Sequence, residues 1–411
     1  MTLRGHGARR GAALSNLGII KDGAVLVRDG RIAAVGARAK IEPLQAARAA
    51  EKLDVGGRVL LPGFVDGHTH LIHAASRAEE YELKIHGASY EEIARKGGGI
   101  LNSVKKLRAA TSEELKARAR KALVEFAAHG TTTIEGKSGY GLDAASELKI
   151  LRLHKELAAE QPLDIVSTFL GAHVVPGEYR GRRDGAKQYI ELLTEKLIPE
   201  VAREGLAEFC DVFCERGAFT QKQSRDVLEA GKRYGLTPRM HAEQLSNRGG
   251  AQLAVELGAA SCDHLEYVNA ADIAALGKSR TVATLLPGCD FHLGLKKYAP
   301  ARKLIESGAI VALATDYNPG TSPTLSMPMI LSLACNELRM TPAEAIAAAT
   351  INSAYGLRRE KQCGSLEVDK FADMAIFDVA DYREIPYHFG VNTCWMTIKR
   401  GVVVHGDQTA A

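Results

Sequence analysis

Eight short apolar runs alternate with helix-patterned stretches through the middle of the chain, and this rhythm admits few folds. The runs are GFVDGHTHL, TTTIEG, DIVSTFLGAH, FCDVFCERG, PRMHAEQ, SCDHLEY, TVATLLPG and IVALATDYN. The stretches between them carry helical signals; SEELKARARKALVEFAAHG, for example, ends on Gly130 as a helix C-cap would. Repeated βα units in this number predict a (β/α)8 TIM-type barrel. A doubly wound open sheet is the competitor. It is disfavoured because no GxGxxG follows the first strand and because polar residues end so many different strands.

Both ends of the chain have a different pattern. GAVLVRDGRIAAVG is two apolar runs joined by Asp29-Gly30, a strong hairpin signal, and the tail repeats the style in DKFADMAIFD and TCWMTIKRGVVVHGD. At 411 residues the chain exceeds one usual core. The expected division is therefore a catalytic barrel over 59–358 and a small β-sandwich built from 1–58 and 359–411. The opening MTLRGHGARRGAAL is basic and lacks an apolar core, so it reads as a solvated N-terminus and not a signal peptide.

Composition excludes several classes of partner. The 53 basic and 49 acidic residues are mixed along the chain, with no basic stripe to bind nucleic acid. No run of eighteen apolar residues suggests a membrane span. The seven cysteines are scattered without a CxxC pair, which fits a reducing cytoplasm. Cys210 and Cys214, at even spacing on one strand, face one side and read as packed thiols.

A barrel collects its chemistry where strands end. His68 and His70 lie two apart on the first strand, on one side of the pleat, where two neutral imidazoles can chelate one cation. His241 ends the fifth strand, His264 the sixth and Asp316 the eighth. Singly, each is more often a structural residue than a ligand. Together at equivalent strand ends they converge, and imidazoles with a carboxylate suit zinc or iron better than magnesium or calcium.

GFVDGHTH, the later single histidines, the Ala-Thr-Asp triplet at 314–316 and the tail DKFADMAIFD resemble the amidohydrolase superfamily. EGKSGYGLD, FLGAHVVP, MHAEQLSNRGG, DHLEY and ATDYNPGTSP resemble its branch that opens the imidazolone ring in histidine breakdown. The likeness runs from about Gly23 to Gly401. It implies one divalent metal, Zn2+ or Fe2+/Fe3+, on His68, His70, His241 and Asp316, activating a water. It further implies Asp316 as general base, with His264 hydrogen-bonding the nucleophile or the developing oxyanion. The implied substrate is 4-imidazolone-5-propanoate, with Arg77 on its carboxylate. Tyr90, Tyr140, His173, Gln244, Asn318, Gly320 and Thr321 match further substrate contacts. Relatives suggest a homodimer.

Two departures bear on the chemistry. Many relatives bridge two metals with a carboxylated lysine at the end of the fourth strand. This chain offers Glu215 there, and Lys137 stands after the second strand, so one metal is expected, with Glu215 as the only opening for a second. Where hydrolases of this type commonly carry a glutamate three residues after the fifth-strand histidine, this chain has Gln244, which cannot act as an acid. Glu243, one residue earlier, is expected to point away from the site. Gly97-Gly98-Gly99 reads as a loop and not a phosphate cradle. The competing functions are deamination of an aminated heterocycle such as guanine or cytosine, weakened by Gln244 and Arg77, and a metal-free binding scaffold. The scaffold reading requires missing ligands, and all four are present.

Overall fold

The computed structural model describes residues 1–5, 7–88, 92 and 98–406, so Tyr90 and Gly97 lie outside the described residues. A hairpin comes first: β1 (Gly23–Arg28) pairs antiparallel with β2 (Arg31–Ala37). Asp29 and Gly30 turn it at φ 52° and 75°, the left-handed pair that Asp-Gly tolerates. After β3 (Val59–Pro62) the barrel strands follow in order: β4 (Phe64–Asp66), β5 (Thr131–Lys137), β6 (Asp164–Ala172) and β7 (Phe209–Cys214). The fifth barrel strand is interrupted at Arg239 into β8 (Thr237–Pro238) and β9 (Met240–Ala242), and β10 (Ser261–His264), β11 (Val282–Leu285) and β12 (Ile310–Leu313) complete the set.

These strands pair in parallel in the order β4-β5-β6-β7-β9-β10-β11-β12, with β8 on β7. The first and last strands meet just past their ends. Asp316 donates its N–H to the His68 carbonyl at 3.0 Å, and His70 donates to the Tyr317 carbonyl at 2.8 Å. The (β/α)8 architecture is thus near-closed, and it is closed by the residues the sequence singles out for chemistry.

Helices surround the strands. The helix Ser112–Ala128 starts from a capping box between Thr111 and Glu114 and stops where Gly130 takes φ 86°. Alternation sorts each strand. On β5, Ile134 packs outward with Leu115, Ala119 and Leu123, while Glu135 and Lys137 take the opposite parity and face the lumen. On β7, Cys210 packs outward against Gly231 of the helix Gln221–Arg233, leaving Asp211 inward. Cys210 and Cys214 are both buried, as packed thiols should be.

The tail supplies β13 (Met374–Phe377), β14 (Cys394–Lys399) and β15 (Val402–His405), which form an antiparallel sheet in the order β15-β14-β13-β3. It encloses a separate small core with the hairpin, through Ile32, Met374, Ile376, Met396 and Ile398. Both chain ends therefore build one small two-layered β-unit.

The first twenty residues correct the expectation of a solvated N-terminus. Leu3, Leu14 and Leu17 join the main core, and Arg10 donates to the carbonyls of Gly277, Gly308 and Ser279. Arg10, one of the arginines that made the segment look solvated, satisfies part-buried carbonyl groups of the barrel instead. Among the described residues no helix is long and apolar enough to cross a membrane.

Candidate metal centre

The lumen ends, on the side where the strands terminate, in a cluster of imidazoles. The His68 ring centroid lies 4.4 Å from that of His241 and 5.6 Å from those of His70 and His264. Asp316 Oδ1 lies 3.4 Å from His68 Nε2 and 3.7 Å from His70 Nε2. His68 with His241 and His264, and His68 with His70 and Asp316, each bring three ligand-type atoms within 4.8 Å of one another. All five residues are buried. Three of the strand exits that deliver this site bend through left-handed backbone. Glu243 takes φ 58°, His264 and Leu265 take 84° and 76°, and Asp316 takes 53°. Such conformations are costly for branched or bulky residues and cluster at functional sites.

The donor set fits a metal. His68 Nε2, His70 Nδ1, His241 Nε2 and His264 Nδ1 are buried without a hydrogen-bond partner. A buried polar atom in that state is expensive unless something else satisfies it. Burial, followed by neighbouring positive groups, pushes His68 and His70 well below the usual imidazole range. His241 and His264 are also lowered, burial again being the largest cause. The rings are therefore neutral, and neutral nitrogens have lone pairs to give. Imidazoles and a carboxylate gathered in two triads that share His68 are the ligand types a divalent zinc or iron ion takes.

Behind the ligands lies a layer of buried charge that the sequence reading did not identify. Asp263 Oδ2 accepts from His68 Nδ1 at 2.8 Å, and Asp211 Oδ2 lies 3.0 Å from His241 Nδ1. Lys137 donates to Asp211 at 2.6 Å and to Glu135 at 2.9 Å, and Arg239 Nε lies 3.0 Å from Glu135. Carboxylates on the outer nitrogen of a ligating histidine fix its tautomer and orientation. The available signal was parity: Asp211, Arg239 and His241 are polar residues on inward positions of otherwise apolar strands.

The remaining predicted residues divide. Tyr140 and His173 are brought to the cluster: the His173 ring stacks on His70 at 5.3 Å and 12°, and Tyr140 sits 5.5 Å from His70. Arg77 holds Glu80 through Nε at 2.7 Å and rests against Gly320, where a Cβ would come 2.1 Å from its NH1. Thr321 reaches Asp316 Oδ2 at 3.4 Å. Asn318 is occupied with the loop itself: its Oδ1 accepts from the N–H groups of Gly320 and Thr321, both at 2.8 Å. Gln244 is half-buried, and its Nε2 lies 3.5 Å from Cys289 Sγ. Glu243 turns away, as expected, and accepts from the N–H groups of Arg248 and Ala251.

Glu215 does not join the ligand cluster. Its oxygens accept from the N–H groups of Arg216 at 2.6 Å, Leu245 at 2.9 Å and Ser246 at 3.2 Å. Those bonds occupy the lone pairs that a second ion would need.

The model of the amidohydrolase family matches residues 59–407. Imidazolonepropionase of Geobacillus kaustophilus (strain HTA426) is 48% identical over 396 residues, covering 96% of this chain and 92% of that protein. The imidazolonepropionase of Solibacter usitatus (strain Ellin6076) is 49% identical over 391 residues, covering 95% and 93%. The chain belongs to the imidazolonepropionase branch of the amidohydrolase family. Amidohydrolase architecture also extends to distant structures. 5-Methylcytosine deaminase from Klebsiella pneumoniae superposes with a TM-score of 0.71 at 17% identity, covering 93% of this chain and 95% of that one. At that identity the likeness is one of fold alone.

Proposed function

We propose that this amidohydrolase hydrolyses the cyclic amide of 4-imidazolone-5-propanoate, giving N-formimidoyl-L-glutamate. The observation that carries the reading is the buried set of His68, His70, His241 and Asp316, with the Arg77 guanidinium held at the adjoining loop. A divalent zinc or iron ion on those four residues would supply Lewis acidity and a water acidified to act near neutral pH.

The chain's own groups do the rest. In the reaction, water oxygen bonds to the ring carbonyl carbon and the carbon–nitrogen bond breaks; one proton of the water is released as the new carboxyl ionises, and the other goes to the leaving nitrogen. Asp316 takes that proton and returns it. Its carboxylate lies 3.4 Å from His68 Nε2 and 3.7 Å from His70 Nε2, beside the place a metal-held water would occupy, which puts it in reach of that proton. His264, whose Nδ1 lies 3.6 Å from Glu266, hydrogen-bonds the developing oxyanion. Glu80 engages Nε and NH2 of Arg77, so the guanidinium offers NH1 to the substrate carboxylate. Tyr140 and His173 flank the planar ring, and Gln244 offers an amide to it. Asn318 and Gly320 shape the loop that carries Thr321.

Purified protein is assayed on imidazolonepropanoate, guanine and cytosine, with its metal content measured. Turnover of the first with about one ion per chain supports the reading; turnover of a heterocyclic amine in its place overturns it. Arg77→Met is expected to raise KM about 10- to 100-fold, the cost of one charge-assisted hydrogen bond, with kcat changed much less.

The division into 1–58, 59–358 and 359–411 remains our reading of the domains. The seven free cysteines support a reducing, cytoplasmic setting. A homodimer is supported by Tyr387, Phe389 and Val391, exposed beside a groove of about 750 Å³ that Cys335 and Pro386 also line. Sedimentation of the wild type against Phe389→Ser tests it: a wild type that runs as a monomer ends that assignment.

A further inference from the structure

Lys137 has no part in the reaction as described, yet it lies fully buried beneath the histidines. Its Nζ stands 2.6 Å from Asp211, 2.9 Å from Glu135 and 3.7 Å from Asp263. Each of the two aspartates faces the Nδ1 of a different histidine of the cluster. We propose that Lys137 is a positioning residue for the metal centre: its ammonium pins Asp211 and Asp263, which in turn hold His241 and His68 with Nε2 presented to the ion. The inference rests on the metal reading above.

The two arms are unequal. Asp263 also has Arg239, whose NH2 lies 3.4 Å away. Asp211 has no lysine or arginine but Lys137 within 4.0 Å among the described residues. Without Lys137, Asp211 is a buried carboxylate with no cation beside it, held only by the Val212 N–H and a neutral imidazole, and it is free to swing off Nδ1 of His241. The charge is firmly held in the native chain. Burial alone would lower the lysine, but Asp211 and Glu135 carry it above its ordinary range. The effect of losing Lys137 therefore passes mainly through His241, while His68 keeps its support.

The test uses the full chain with Lys137→Met and Lys137→Arg, each checked for folding by its melting curve. Zinc affinity is read by competition with a chromophoric chelator, and ligand geometry by the visible spectrum of the cobalt form. The Met variant is expected to bind zinc about 10- to 100-fold more weakly, with a changed cobalt spectrum, and the Arg variant to recover most of the loss. A folded Met variant within about threefold of the wild type overturns the proposal, as does a folded Arg variant as weak as Met. Should the Met variant not fold, nitrogen-15 spectra of histidine-labelled wild type decide the matter. A proton on Nδ1 of His241 in the zinc form supports the proposal, and a bare Nδ1 there ends it. A wild type that binds no zinc removes the metal reading and this inference together, whereas tight wild-type binding with unaffected variants removes the inference alone.

Discussion

Buried histidines in this chain fall into two kinds, and His154 shows the second. It lies at 0% exposure on the helix Ala144–Glu160 with neither ring nitrogen paired, close enough to Gly136 that a Cβ there would come 2.9 Å from the ring. Burial drives it from the ordinary 6.5 down to about 3. The folded chain therefore keeps it neutral over a range where the unfolded chain takes up a proton. Its contribution is fully present above 6.5 and is lost as pH falls toward 3. Between pH 7 and 5 that loss is about 2 kcal/mol. His154→Met should thus gain about 2 kcal/mol on the wild type over that interval, measured by urea midpoints at both pH values. An equal pH response in both proteins rules out a neutral buried imidazole. At this scale His68 and His70 were legible because a two-residue spacing on a strand dictates a shared face. Asp211, Asp263 and Lys137 were not. Asp211 is one polar residue in an apolar run, Asp263 and Lys137 sit among other polar residues, and only closing the barrel shows that their parities meet at one depth.

At the scale of elements, strand identity was legible from apolar runs and their punctuation, while strand ends were not. The fifth strand breaks at Arg239 because that side chain turns into the lumen, donating to the Gly67 carbonyl at 2.7 Å and pairing with Glu135. No propensity rule encodes that interruption. The loop after β12 illustrates how an element end sets a site. Asp316, Asn318 and Thr321 fold it into a compact hydrogen-bonded turn, which lays Gly320 flat against Arg77. Glycine is needed there for space, since an added Cβ would sit 2.1 Å from NH1 and 2.9 Å from Cζ of that arginine. The arginine is the movable partner, so Gly320→Ala should displace it and leave the loop in place. Steady-state kinetics should show KM raised about tenfold, near 1.4 kcal/mol, with kcat and metal content little changed. An unchanged KM would falsify the placement of Arg77 on the substrate.

Across the whole molecule, the small β-unit and the metal centre sit at opposite ends of the barrel, and one buried cation joins the first of these to the frame. Lys399 on β14 donates to Asp373 at 2.7 Å and to Asp164, the first residue of β6, also at 2.7 Å. Arg400 adds a bond from NH2 to Asp164 at 2.6 Å. The sequence showed that both ends of the chain were strands of one unit, but not how that unit is fastened, because the partners lie over two hundred residues apart. Lys399→Met keeps most of the stem's packing and removes the charge, leaving Asp373 buried beside an N–H group alone. Breaking one side of such a pair costs about 3–5 kcal/mol, so the melting temperature should drop by several degrees. The ligand histidines lie at the far ends of the strands, beyond the charged layer of Glu135, Asp211 and Arg239. Their geometry depends on that layer and not on the strand starts. KM and zinc affinity of the folded variant should therefore match the wild type at 25 °C. A Lys399 variant that melts early and also binds zinc weakly would mean that strain travels the length of the strands, and that the small sheet is part of the machinery instead of its mounting.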